Sequence, residues 1–149
     1  MKASIIETIK QRGLKLTSQR LAIIDALVDK ALLHPSANFV YREAKKKARS
    51  LSLSTVYATL NELSRHGIIK LLEFDTMENR YDLDTAPHVN VVCKQCKKIL
   101  DYKLPVVIDR RGVLKKLRFL VTDSRFEFYG YCEDCAKGLG IPLKKDASN

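Results

Sequence analysis

Two Cys-x-x-Cys motifs in the second half of this 149-residue chain constrain its fold more than any other feature. They contain all four cysteines of the protein: Cys93, Cys96, Cys132 and Cys135. Four thiolates in two such pairs match a tetrahedral structural zinc site, which predicts one Zn²⁺ per chain with no open coordination position. Redox-active pairs and an iron–sulfur cluster are the alternatives. A redox protein, however, is expected to have one pair opening a helix beside a strand rather than two symmetric pairs.

The segment that carries these motifs is a small α/β unit of about 60 residues, a size that usually needs a metal or a disulfide to stabilise its core. Its hydrophobic pattern predicts strands, helices and one long strand near the end. The predicted elements are strands Val89–Val92 and Ile99–Lys103, helix Val106–Lys116, strand Phe119–Tyr131 and helix Glu133–Leu139. Because the long strand has more apolar surface than so small a unit can cover, we expect this unit to form a homodimer.

The first half of the chain has helical periodicity followed by two short strands. Ile5, Ile6 and Ile9 form a short apolar stripe that ends at Gly13, and Thr17 caps a second helix. The third and fourth helices are predicted as Asn38–Arg49 and Leu53–Arg65, the last with Ser52 as its N-cap. Strands Ile68–Phe74 and Arg80–Asp84 then flank a polar hairpin tip. Helices followed by a β-hairpin are typical of a winged helix-turn-helix, whose fourth helix enters the major groove.

These patterns predict an α+β protein with three parts. Residues 1–84 are the winged-helix DNA-binding domain, residues 85–87 are a hinge, and residues 88–149 are the dimerisation and metal-binding domain. The net charge of +10 favours a polyanionic partner such as double-stranded DNA. No window is apolar enough for a membrane span or a secretory signal, so we expect a cytoplasmic protein.

Four residues are candidates for contacts with DNA. Ser54 and Thr55 lie at the start of the predicted recognition helix, where hydroxyl groups meet phosphates. Tyr57 follows one turn later, although it could instead pack inward beside Leu60. Arg80 at the base of the wing is a candidate phosphate ligand.

Four motifs and both cysteine pairs occur in the order seen in the ferric uptake regulator family, which the chain resembles from about residue 14 to residue 137. They are Thr17-Ser18-Gln19-Arg20, His34-Pro35-Ser36-Ala37, Ser52-Leu53-Ser54-Thr55-Val56-Tyr57, Arg80-Tyr81-Asp82 and the two cysteine pairs. The resemblance implies an N-terminal winged helix, a C-terminal dimerisation domain and metal-dependent repression of transcription.

The resemblance also implies a regulatory metal site that links the two halves of the chain. Its ligand positions here are His34, Asp82, His88, Asn90 and Asp101, with Asn90 replacing the second histidine of a His-x-His motif. Nitrogen and oxygen donors without thiolate suit Fe²⁺ or Mn²⁺ better than Zn²⁺ or Cu⁺. A further family site needs a histidine where this chain has Ser124, so we expect that site to be absent.

Asp101 stands where iron-uptake regulators usually have glutamate, and in this respect the chain resembles the peroxide-sensing branch of the family. That branch implies Fe²⁺-dependent oxidation of a ligating imidazole, here His34 or His88, followed by release of DNA. Two alternatives remain: an iron- or manganese-responsive repressor without peroxide sensing, and a constitutive DNA-binding protein with a decayed sensor site. No catalytic triad, phosphate-binding loop or carboxylate pair supports an enzyme.

Overall fold

The computed structural model of the chain describes residues 2–31, 34–75, 77–103 and 109–143. Within them the protein is a mixed helix and sheet structure, as the sequence predicts. The chain divides into two compact units, Met1–Ala86 and Pro87–Asn149. This division falls inside segment 85–87, and the role of that segment as a hinge stays a prediction.

Four helices open the first unit: α1 (Lys2–Gln11), α2 (Ser18–Asp29), α3 (Ala37–Lys45) and α4 (Leu53–Arg65). The side chains of Thr17, Ser36 and Ser52 each accept a hydrogen bond from the backbone N–H three residues later. These caps satisfy donors that a helix start leaves without an intrahelical acceptor. The predicted bounds of α4 are confirmed. α3 ends four residues earlier than predicted, because the chain turns there and buries Leu51 in the core.

α3 packs against α2 and α4, so the apolar stripes of the three helices meet in one core. The side chains that are fully buried there include Ile23, Ile24, Val40, Val56 and Leu60. Each contributes on the order of 1.5–3 kcal/mol when it leaves water. An ion pair between Arg20 of α2 and Glu62 of α4 joins these two helices at the edge of the core.

The wing consists of β1 (Lys70–Leu72) and β2 (Arg80–Asp82), which pair antiparallel with Leu71 opposite Tyr81. Both strands are shorter than predicted. The first loses its start because Ile68 donates its N–H to the Leu63 carbonyl at 3.0 Å. Together with Gly67 at φ +64°, this bond makes a Schellman motif that closes α4. Thr76, in the predicted hairpin tip, lies outside the described residues.

The second unit contains a three-stranded sheet with the order β4-β3-β5, formed by β3 (Val89–Cys93), β4 (Ile99–Tyr102) and β5 (Glu127–Gly130). β3 pairs antiparallel with β4 and parallel with β5. The helices are α5 (Arg110–Leu117) and α6 (Glu133–Gly138). The predicted helix start at Val106 lies outside the described residues. None of the helices described is long and apolar enough to cross a membrane.

The prediction of one long strand over Phe119–Tyr131 is wrong. Residues 119–126 have no regular secondary structure, and only Glu127–Gly130 forms a strand. A strand extends only as far as its partner offers hydrogen bonds, and β3 pairs with β5 only between Asn90 and Cys93. The alternating apolar pattern before Glu127 therefore does not correspond to a strand, and Phe119 and Leu120 are exposed.

Candidate metal centres and nucleic-acid interface

The four cysteines form one cluster, with their Sγ atoms all within 4.8 Å of one another. Cys93 ends β3, Cys96 follows in a turn, and Cys132 and Cys135 lie at the start of α6. The distance between the Sγ atoms of Cys96 and Cys132, 3.7 Å, is far longer than a disulfide bond. It agrees with the spacing of about 3.8 Å that two thiolates adopt on a tetrahedral zinc ion with Zn–S bonds of about 2.3 Å.

The turn after β3 directs the first pair of sulfurs into the cluster. Lys97 adopts a left-handed conformation with φ +61°, and its N–H donates to the Cys93 carbonyl at 3.0 Å. The second pair does open a helix beside a strand, as a redox pair would. Because sulfurs of the two pairs approach one another, the structure favours one four-thiolate site over two separate dithiols.

Backbone N–H groups stabilise the thiolate form of Cys93. Those of Cys132 and Cys96 lower the pKa of the Cys93 thiol to about 6. The pKa of the Cys135 thiol is raised to about 12, first by its hydrogen bond with Cys132 and then by desolvation. One thiol of the cluster is thus prepared to lose its proton near neutral pH, and a cation must provide the remaining stabilisation for four thiolates.

His34 and Asp82 come together within the first unit. His34 Nε2 lies 3.8 Å from Asp82 Oδ2, and the two residues are 1% and 2% exposed. The loop that carries His34 is attached to β2, because the N–H of Tyr81 donates to the Pro35 carbonyl at 3.1 Å. His34 itself is held at φ +44°, a conformation that non-glycine residues rarely adopt.

A second histidine–aspartate pair lies within the second unit. His88 Nε2 is 3.6 Å from Asp101 Oδ1. Asn90 is directly opposite Asp101 in the β3–β4 ladder and is 4% exposed. Its Oδ1 is buried without a hydrogen-bond partner among the residues that the structure describes. Imidazole nitrogens with carboxylate and amide oxygens form the donor set that suits a hard or borderline divalent cation such as Mn²⁺ or Fe²⁺.

The predicted DNA contacts lie on or near α4 and the wing. Ser54 is exposed, and Thr55 is half-buried; the hydroxyl of each lies 2.8 Å from Ser52 Oγ. Tyr57 is 42% exposed, so it does not pack inward beside Leu60. Arg80 in β2 is half-buried, and its Nε is buried without a hydrogen-bond partner in the described part of the chain.

The same exposed face of α4 has two residues that sequence reasoning missed. Asn61 and Arg65 follow Tyr57 at spacings of four and eight, which returns them to the same side of the helix. The spacing of four and eight residues from Tyr57 was the signal in the sequence that placed Asn61 and Arg65 on this face.

The ferric uptake regulator family matches residues 11–129 of the chain. The chain belongs to this family. The peroxide operon regulator of Bacillus subtilis is 32% identical over 133 residues, which are 89% of this chain and 91% of that protein.

Two solved structures of family members have the same fold. The ferric uptake regulator of Helicobacter pylori, described as having three functional metal-binding sites, matches with a TM-score of 0.71 and 27% identity over 91% of this chain and 93% of that one. The peroxide stress regulator of Campylobacter jejuni matches with a TM-score of 0.65 and 30% identity over 87% of this chain and 98% of that one.

This family member is a metal-dependent, DNA-binding transcriptional repressor. Its four-cysteine cluster suits structural zinc, and its histidine–aspartate pairs suit a regulatory Fe²⁺ or Mn²⁺. The similarity to peroxide regulators agrees with the prediction made from Asp101.

Proposed function

We propose that the chain is a peroxide-responsive repressor in which one divalent cation is bound by both histidine–aspartate pairs. The observation that supports this proposal is that each unit contributes one buried histidine beside an aspartate carboxylate, at 3.8 Å for His34 and 3.6 Å for His88. The carboxylates of Asp82 and Asp101 would neutralise the charge of the ion. Asn90 would add a neutral oxygen.

Shared ligation explains how a small ion controls binding to DNA. An ion that needs ligands from both units is bound tightly only in the arrangement that brings those ligands together, so it selects that arrangement. The His34 ligand lies in a loop that is hydrogen-bonded to the wing, through Pro35 and Tyr81. Occupancy of the site would therefore restrict the wing as well as the hinge.

Fe²⁺ held by His34, Asp82, His88 and Asp101 would supply the redox chemistry that activates hydrogen peroxide beside the two imidazoles. The net change transfers one oxygen atom from hydrogen peroxide to the imidazole of His34 or His88 and releases one water. The oxidised ring would be a poorer ligand, so the histidine–aspartate pairs would no longer share an ion that selects the DNA-binding arrangement. Mn²⁺ would suit the same ligands and would not supply this chemistry.

Peptide mass spectrometry after peroxide treatment of the Fe²⁺-loaded and Mn²⁺-loaded proteins tests this reaction. We expect a mass increase of one oxygen on His34 or His88 in the iron form, together with loss of operator binding, and neither change in the manganese form. The third histidine, His66, provides an internal control in the same digest. Unmodified His34 and His88 with intact DNA binding would instead make the chain an iron or manganese sensor without peroxide response.

Metal control itself is tested by His34→Ala and His88→Ala, with His66→Ala as the matched control. The first two variants should lose the stimulation of DNA binding by Mn²⁺ and keep their zinc, whereas His66→Ala should keep both. Equal operator affinity in the parent and in all three variants across a Mn²⁺ titration would favour the constitutive DNA-binding protein with a decayed sensor site.

The partners that we propose are a near-palindromic duplex operator and a second copy of the chain. Three large side chains on one face of the β4-β3-β5 sheet support the dimer: Leu100 and Phe128 both flank Val91 in the ladder, and Tyr102 follows on β4. They are 45%, 56% and 52% exposed. An apolar surface of this kind is usually covered by an interface.

A further inference from the structure

The exposed face of α4 extends over three turns of the helix. At 100° per residue, five exposed side chains fall within one side of the helix. They are Ser54, Tyr57, Ala58, Asn61 and Arg65. The opposite side is buried through Val56, Leu60 and Leu63, so the orientation of the helix on the core leaves this face to solvent.

The electrostatics of this face favour a polyanion. Glu62 is the only acidic residue of α4, and Arg20 of α2 neutralises its carboxylate. Within the described ranges, neither Asn61 nor Arg65 has a side-chain hydrogen bond or an ion pair. Their polar groups are thus available to a ligand without the loss of an existing bond.

Three residues of this face have complementary chemistry for DNA. The amide of Asn61 matches the adenine edge, since it can donate to N7 and accept from N6. The methyl group of Ala58, three residues earlier, can contact a thymine methyl group. Arg65 extends from the last turn of the helix, where a guanidinium is well placed to bind a phosphate.

We propose that Asn61 specifies an A·T base pair in each half-site of the operator and that Arg65 binds the DNA backbone beside it. This inference rests on the proposed insertion of α4 into the major groove. It assigns sequence selection to the third turn of the helix, in addition to the predicted contacts of Ser54, Thr55 and Tyr57 in the first two turns.

The test is selection from a library of duplexes with randomised half-sites, using the full chain with zinc and Mn²⁺ bound. The parent should enrich adenine at one position per half-site. Asn61→Ala should reduce that preference by about tenfold and leave the other positions unchanged. Asn61→Gln should keep the preference, because glutamine can form the same two hydrogen bonds with adenine. Gln11→Ala, which removes an exposed amide from α1, is the matched control.

The variant Arg65→Ala distinguishes binding to the DNA backbone from recognition of the bases. This variant should weaken binding to all sequences alike and reduce the slope of log affinity against log salt by about one. An unchanged base preference in Asn61→Ala, with Mn²⁺-dependent binding intact, overturns the assignment of Asn61 and leaves the proposed function standing. An unchanged salt slope in Arg65→Ala overturns its backbone role. Failure of the parent to bind any duplex contradicts the proposed function itself.

Discussion

The side-chain amide of Asn38 donates a hydrogen bond to Glu78 Oε1 at 2.5 Å, which fastens the hairpin of the wing to the first turn of α3. Ser36 pairs with Arg80 through an isolated β-bridge, and Tyr81 N–H donates to Pro35. Side-chain and backbone hydrogen bonds thus join three segments: the loop after His34, the start of α3 and the second strand of the wing. A displacement of this loop would be transmitted to the wing.

The first prediction concerns the stability of the fold at acid pH. Hydrogen bonds from Asn38 and then Ser36 hold the pKa of the Glu78 carboxyl below its usual 4.5. A pKa that is lower in the folded state stabilises the fold fully above pH 4.5, and this stabilisation is lost as the pH falls through the folded pKa. Since Glu78 is exposed, we expect Glu78→Gln to cost only about 0.5 kcal/mol at pH 7, and this cost should shrink as the pH falls below 4.5.

Chemical denaturation of the parent and of Glu78→Gln across this pH range measures the difference. Asp75→Asn, which removes a charge from the same hairpin and leaves the Asn38 contact in place, is the control. A stability difference that persists unchanged at pH 3 would show that the ionised carboxylate of Glu78 is not its source.

The second prediction concerns the zinc site. Cys93→Ser should abolish stoichiometric zinc binding and lower the melting temperature by at least about 10 °C, because the second unit is too small to fold stably on apolar burial alone. Lys94→Ser changes a residue in the same motif that is not a ligand, and it should retain zinc and stability. Elemental analysis with calorimetry gives both quantities, and full zinc content with an unchanged melting temperature in Cys93→Ser would refute the stabilising role.

The third prediction concerns the apolar face of the sheet. Phe128→Asp places a charge in the apolar face that we propose to be buried in a dimer, so it should yield a monomer at micromolar concentration with zinc retained. Thr122→Asp adds the same charge to an exposed position of the same unit and should remain dimeric. Sedimentation velocity distinguishes the two states, and a dimeric Phe128→Asp would place the interface elsewhere.

The bounds of α4 could be predicted from the sequence because all of their determinants are local. Ser52 supplies the cap, Val56, Leu60 and Leu63 supply the buried stripe, and Gly67 supplies the left-handed stop. The four-cysteine cluster was equally predictable, since the spacing of each pair brings its own sulfurs together. The physical cause of each helix end and of each cysteine pair lies within a few residues of it, whereas the approach of the two pairs depends on the pairing of β3 with β5.

Features that depend on distant partners could not be predicted in this way. The length of β5 is set by β3, more than 30 residues earlier in the chain, so the alternating pattern before Glu127 was misleading. The approach of His34 to Asp82 depends on a backbone hydrogen bond from Tyr81 to Pro35, for which residue type gives no signal. Only the family resemblance paired these two residues before the structure did.

The last prediction concerns the one departure from the family's metal ligands. Asn90 Oδ1 is buried with no hydrogen-bond partner in the described residues, and an unsatisfied carbonyl of this kind costs about 1–3 kcal/mol. A hard cation held with His88 and Asp101 would remove that cost. Asn90→Ala should therefore lower the affinity for Mn²⁺ by about tenfold.

Asn90→His replaces an oxygen donor with an imidazole, which should raise the affinity for Co²⁺ and Zn²⁺ relative to Mn²⁺. Mn²⁺ titration followed by electron paramagnetic resonance, with Co²⁺ and Zn²⁺ as competitors, measures both effects independently of DNA. Asn79→His, the same substitution in the exposed wing hairpin, should leave the metal preference unchanged. If Asn90→Ala binds Mn²⁺ as tightly as the parent does, Asn90 is not a ligand and the ion is held by the histidines and aspartates alone.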